Sequence, residues 1–485
     1  MIRDKISVRE KIGYGFGDMA SSMFWKLFGT YLLFFYTDVL GISAAALGTM
    51  LLVSRIWDTV FDPVVGVIAD RTSSRWGKFR PYLLYMALPF GAIGVLTFTV
   101  PSYSGGGLLV YAYVTYSLMM MVYSLINVPY ASLLGVISAD AKDRNALASY
   151  RMAFAFAGSL VALALFQPLV SFFGHAGIGH MGGGGQGAGR SWQLAVAVIS
   201  VLCVTLFLGC FAWVRERVKP GKENAGTLKE DIRDLCRNRP WWILLAAGIM
   251  VLVFNSIRDG AALYYFKYYV TDGEAFHVFH TAVTYSTLYL VVGQAANILG
   301  VVIATPIANR MGKKRAFLTA MVIAGVLSIL FYGIPRERTG LIFVFQFFIS
   351  ICAGLVFPLL WSMYADIADY SEWKNGRRAT GLVFSSSSMS QKIGWTIGGA
   401  LSGWLLAVFG FRANTVQVEG AQRGIVLMLS LLPAAGALLS VLILSLYPLS
   451  EQRIKDIGHE LEQRRKGNAP SESYVERNPI EADAL

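Results

Sequence analysis

Apolar residues in this chain come in long blocks, not in the short alternations of a soluble fold. About twelve blocks approach or exceed the roughly 20 residues an α-helix needs to cross a bilayer. They lie at 11–37, 45–69, 81–101, 108–137, 147–172 and 192–213, then at 241–271, 283–308, 316–334, 340–366, 380–410 and 422–447. Tilting accommodates the longer ones. The first is too long for a cleaved signal peptide and has no small-residue cleavage site after it, so it reads as a retained helix. The expected fold class is an all-α polytopic membrane protein of twelve transmembrane helices. A basic connector, 214–239, divides it into a first bundle (1–213) and a second (240–447), with a tail over 448–485.

Composition agrees: 55% of the 485 residues are hydrophobic and 15% charged, against about 25% charged in soluble domains. The placement of charge gives an orientation. Connectors on the side of the two termini carry twenty-one Lys and Arg; those on the other side carry six. The positive-inside rule therefore puts both termini in the cytoplasm of a plasma (bacterial inner) membrane. The net charge of +12 is then topology and attraction to anionic lipid, and nucleic acid is excluded as a partner. The four cysteines form no CxxC pair, and no nucleophile–base or metal-ligand constellation points to an enzyme. His175 and His180, in "GHAGIGHMGGGGQGAG", read as part of a flexible linker more readily than as a metal site.

The halves echo each other. "GVIADRTSSRWGKFR" (66–80) follows the second helix and "IANRMGKKRAF" (307–317) the eighth; "SADAKDRNALASYR" (138–151) is echoed by "ADIADYSEWKNGRRATG" (365–381). Duplicated six-helix units are how rocking transporters are built. A sensor or scaffold would need an output domain, and no connector is large enough to be one.

"RIWDTVFDP" (55–63) puts Arg55, Asp58 and Asp62 inside an apolar block. An Asp at a helix centre costs about 2.5–3.5 kcal/mol on insertion scales. Asp58 and Asp62, four apart, lie one turn apart on one face. Such a pair repels unless a cation, a proton or a basic side chain sits between them. Two readings stand: a site for a monovalent cation, or a structural triad with Arg55 and Lys392. Arg258 and Asp259 are adjacent inside the seventh block and face different ways, so each needs its own partner. They are candidates for a gate or for structural pairs.

The order of "YGFGD" (14–18), "YTDVLG" (36–41), "RIWDTVFDP", "SRWGKFRPY" (74–82), "INVPYASL" (126–133), "DYSEWKNGRRATG" (369–381) and "SQKIG" (390–394) resembles the glycoside–pentoside–hexuronide:cation symporters. That branch of the major facilitator superfamily is typified by the melibiose carrier. The resemblance implies two pseudo-symmetric six-helix bundles and symport of a sugar with sodium or a proton, with no cofactor and no obligate protein partner. It implies a cation site at Asp58 and Asp62, with Ser124 and Asn127, and Lys392 near both sites. For the substrate it implies Ser22, Tyr123, Asn127, Arg151 and Lys392, with Asp18 one turn from Ser22. Asp18 stands in for a missing acid or pairs with a basic loop residue. Ser22, Asn127 and Ala131 replace two acids and a tryptophan of the melibiose carrier, so the cavity is expected to be more positive and to suit a neutral glycoside or a uronate. Trp25, Trp361 and Trp395 are candidates to stack on a sugar face. Asp70, Arg71, Lys78 and Arg80 are expected to latch the cytoplasmic side through ion pairs, with Asp140, Asp143, Asp366, Asp369 and Glu372 offering opposite charge. An amphipathic or lipid-like solute, or proton-driven export, is the alternative cargo reading.

Overall fold

The computed structural model describes residues 6–138, 141–175, 185–217, 235, 237–271, 273–278, 281–375 and 380–465. The side chain of Asp70, together with His180, Asp140, Arg377, Arg378 and most of the central connector, lies outside the described residues.

The first half contains α1 (Val8–Leu27), α2 (Ala44–Arg71), α3 (Arg80–Thr97), α4 (Gly106–Ile137), α5 (Ala141–His175) and α6 (Gly185–Trp213). The second contains α7 (Arg239–Tyr265), α8 (Tyr285–Met311), α9 (Lys313–Phe331), α10 (Thr339–Asn375) and α11 (Thr380–Val408). Its twelfth span is broken into α12 (Glu419–Leu429) and α13 (Leu431–Ser445), and a final helix, α14 (Glu451–Arg465), follows. Eight helices are long and apolar enough to cross a membrane by length and composition alone. Among the rest, α2 carries Arg55, Asp58, Asp62, Asp70 and Arg71.

Three details differ from the expected spans. The first helix continues past Leu27 through π-helical turns at Phe28–Leu32 and Phe35–Val39. The connector after α7 folds into a two-stranded antiparallel hairpin, β1 (Glu274–Val278) and β2 (Thr281–Thr284). The twelfth span breaks at Ser430, and the Leu429 carbonyl there accepts from the Arg258 guanidinium.

The echoed connectors fold as an echoed device. Glu216, just past α6, accepts backbone N–H groups of Lys78, Phe79 and Arg80 at 2.8, 2.8 and 2.9 Å. Glu451, just past α13, accepts the Lys313 N–H at 2.6 Å. Each carboxylate meets the positive end of its half's third helix. Basic side chains answer at the neighbouring negative ends: Arg80 donates to the Phe211 carbonyl at 2.7 Å, and Lys314 to those of Ser445 and Tyr447 at 2.9 and 2.5 Å. Gly77 is needed beside Glu216, because its φ is +111° and a Cβ would fall 2.5 Å from the carboxylate carbon.

The halves meet chiefly along α2 and α11, and along α5 and α8. A Cβ on Gly403 would lie 2.6 Å from the Ala44 carbonyl oxygen, so α2 and α11 approach almost backbone to backbone. Gly394, Gly398 and Ser402 line another face of α11 and pack on Leu252, Ser256 and Gly260 of α7.

Candidate functional site

The ends of the helices opposite the termini are tied together. Asp38 accepts from Lys267 at 2.6 Å and from the Tyr268 hydroxyl, and its carbonyl accepts from the Asn414 amide at 2.6 Å. The Thr37 and Tyr264 hydroxyls lie 2.7 Å apart, and the Phe34 ring meets Tyr264 edge-on. On the face of the termini, α4 and α5 do not pack against α10 and α11 among the described residues. The molecule is closed on one face and open on the other.

Midway down this gap, Asp58 and Asp62 come together as their spacing requires. The Ser124 hydroxyl lies 2.8 Å from an oxygen of Asp58 and 2.6 Å from one of Asp62. Lys392 donates to Asp58 at 3.1 Å and also to Asp62. The Arg55 guanidinium sits 3.7 Å from Asp58, over the Trp25 ring. In this conformation the carboxylates are thus held by the basic triad that was one of the two readings, and their formal charge is balanced. Asp58 is sealed off, whereas the Asp62 side chain is 28% exposed and that of Lys392 20%. Asn127 does not join them. Its oxygen accepts from Ser21 at 2.7 Å and its nitrogen donates to the Tyr123 carbonyl at 3.0 Å, which uses the amide at both ends.

Asp18 pairs with Arg151 of α5, not with a basic loop residue. Arg151 also lies over the Tyr130 ring, 5.2 Å from its centre. Ser22 is half-buried and makes no side-chain hydrogen bond among the described residues; its neighbour Ser21 makes the bond to Asn127. Tyr123 packs on Trp25, with ring centres 5.5 Å apart. A cavity between the halves is lined in part by Trp25, Gly29, Arg55, Trp395 and Thr396. The expectation of a more positive cavity is corrected: Arg151 and Lys392 both face carboxylates, so the site is balanced.

The candidate gating residues divide. Arg258 and Asp259 do take separate partners. Arg258 is buried in the second half, donating to Leu429, to Tyr289 at 3.0 Å and to Gln346 at 2.8 Å. Asp259 crosses to the first half and pairs with Lys26 at 2.5 Å. Arg80 holds the end of α6 and reaches no acid in a printed ion pair, because the Phe211 and Trp76 carbonyls take its N–H groups. The backbone of Lys78 is held by Glu216, and Arg71 is exposed. Lys313 bridges both oxygens of Asp366 at 2.7 Å within the second half. Sequence reasoning passed over Lys26, Asp38 and Lys267. Lys26 had a signal, since it is a charge inside an apolar block like Asp58. Asp38 and Lys267 sit near block ends, where a charge looks like ordinary solvent contact.

Two duplicated six-helix halves closed on one face, with ion pairs buried between them, define a transporter of the major facilitator type. A family model described as "MFS/sugar transport protein" matches residues 13–451, and the chain belongs to that family. Among curated relatives, the inner membrane symporter YicJ of Escherichia coli K12 is 36% identical, covering 96% of this chain and 97% of its own. The isoprimeverose transporter of Lactiplantibacillus pentosus is 34% identical over 94% and 91%. Among solved structures, the nucleoside transporter NupG superposes with a TM-score of 0.63 at 15% identity, covering 91% of this chain and 100% of that one; that likeness speaks for the fold alone.

Proposed function

We propose that this protein is a secondary active symporter carrying a glycoside, pentoside or uronate together with sodium or a proton, by alternating access across a bacterial inner membrane. The symporter and isoprimeverose transporter among its relatives support the sugar and the coupling. The bias of basic residues supports cytoplasmic termini, which makes the present conformation the inward-open one. The moving bodies are 1–213 and 240–447, joined by 214–239, with 448–485 as a cytoplasmic tail.

The observation that carries the reading is the cluster of Asp58, Asp62, Ser124 and Lys392. Lys392 is a tethered cation seated where a free one would bind. Adding an ion to this balanced set is unfavourable unless the ammonium leaves, and the partly exposed side of Asp62 gives a route for exchange. Sugar binding near Asp18 and Arg151 offers Lys392 hydroxyl or carboxylate acceptors. Drawing it off the acids frees them for the ion, with Ser124 as a further oxygen ligand. Ion and sugar then tighten each other by the same factor. Tyr123 offers a ring face to the sugar, and Ser22 and Asn127 offer short polar groups in place of acids. Asp38–Lys267 is the outer latch. Lys313–Asp366, with Asp70, Arg71, Lys78 and Arg80 of the echoed loop, belongs to the inner gate. An amphipathic cargo is less well served by a central site with this many hydrogen-bonding groups.

The test is gradient-driven uptake in proteoliposomes with Asp58→Cys. We expect no stimulation of sugar uptake by an imposed sodium or proton gradient, while unpaired downhill binding persists at reduced affinity. Uptake by Asp58→Cys that still follows either gradient overturns the coupling assignment.

A further inference from the structure

A second cavity, unused by the site above, lies in the second half between α7, α8 and α10, and encloses about 400 Å³ with its mouth. Among its lining residues Lys26 of α1 is the contribution of the first half, and Lys26 pairs there with Asp259. Its walls carry Asn255, Gln294, Asn297 and Ser350. The Asn255 nitrogen donates to its own helix, to the Val251 carbonyl at 2.9 Å. The Asn297 side-chain oxygen is buried without a hydrogen-bond partner. Gln294 and Ser350 are buried, and neither makes a side-chain hydrogen bond among the described residues.

Each buried polar group left unpaired costs about 1–3 kcal/mol. A cluster of them on three helices is therefore not a packing solution, and something polar has to fill the space. Amides and hydroxyls that both donate and accept match sugar hydroxyls, which do the same. An ion pair adds a donor beside an acceptor, suited to two adjacent hydroxyls. Position points the same way. Lys26 follows Asp18 by eight residues on α1, about 12 Å along the axis, a span that a two-ring sugar covers and a single ring does not.

We propose that this cavity is a second sugar subsite, which takes the second ring of a disaccharide glycoside whose first ring lies at Asp18 and Arg151. The inference rests on the sugar-transport reading above and makes the cargo a two-ring glycoside.

The experiment compares KM for uptake of labelled disaccharides (isoprimeverose, cellobiose, melibiose) and of the methyl glycosides of single rings in proteoliposomes. Wild type is compared with Gln294→Leu, and with Ser350→Ala as a gentler variant that keeps the packing. The expected result is a ratio of disaccharide KM to single-ring KM that rises about tenfold or more in Gln294→Leu and in the same direction in Ser350→Ala, with recovery in Gln294→Asn. A ratio that stays within about twofold in both variants overturns the subsite, as does a wild type that carries single rings and no disaccharide. Wild-type protein that carries neither class overturns the sugar-transport reading, and this inference with it.

Discussion

The charged side chains between the halves come in balanced sets, which decides how each can be used. Asp18 answers Arg151, Asp259 answers Lys26, and Asp58 with Asp62 answers Lys392 with Arg55. Breaking a buried pair by removing one partner leaves an uncompensated charge, which is far more costly than the pair itself. A symporter uses that penalty. Lys392 leaves the acids only when an ion takes its place, so an ion-free, lysine-free site is disfavoured. The spacing of Asp58 and Asp62 made this cluster legible, because four residues on a helix fix two carboxylates on one face whatever the rest of the fold does. Ser124 and Lys392, sixty-two and three hundred and thirty residues from Asp62, were reachable only through family resemblance. No local periodicity says which helix lies opposite. Asn127 shows the limit of that transfer: its helix is right, but Ser21 has taken its oxygen.

Among elements, the helix ends do the fixing. Glu216 satisfies three orphan N–H groups at the start of α3, and Gly77 leaves room for it. Glu216→Ala is expected to destabilise the protein by about 1–3 kcal/mol, seen as a lower melting temperature in detergent, whereas Glu216→Gln keeps part of the contact. An unchanged melting temperature in Glu216→Ala contradicts the role. The duplicated loops were plain in the sequence; their purpose was not. Basic residues of these loops were expected to meet acids, yet Arg80 and Lys314 cap carbonyls at the ends of α6 and α13, because helix C-termini are themselves negative and much closer. Twelve apolar blocks announced the helices, but not the π-helical turns at the end of the first, the break at Ser430 or the β-hairpin. Those depend on tertiary partners, such as Arg258 on the Leu429 carbonyl.

For the whole molecule, function is a population of two states biased by the contacts that one of them makes and the other lacks. The ties of Asp38 to Lys267, Tyr268 and Asn414 belong to the present state. Asp38→Asn is expected to shift molecules toward the state open on the opposite face. With the native cysteines replaced, Thr396→Cys serves as a reporter in the cavity, and an impermeant thiol reagent applied from that face should label it several-fold faster in Asp38→Asn; an equal rate contradicts the latch. The central claim is that Lys392 occupies the place of the coupling ion and must yield to it. Its most direct test is cation affinity measured on purified protein in lipid nanodiscs, by titration with sodium and with protons, in wild type and Lys392→Gln. The account predicts that removing the tethered competitor tightens binding of the coupling ion by about tenfold or more, roughly 1.4 kcal/mol; weaker binding or its loss in Lys392→Gln contradicts it.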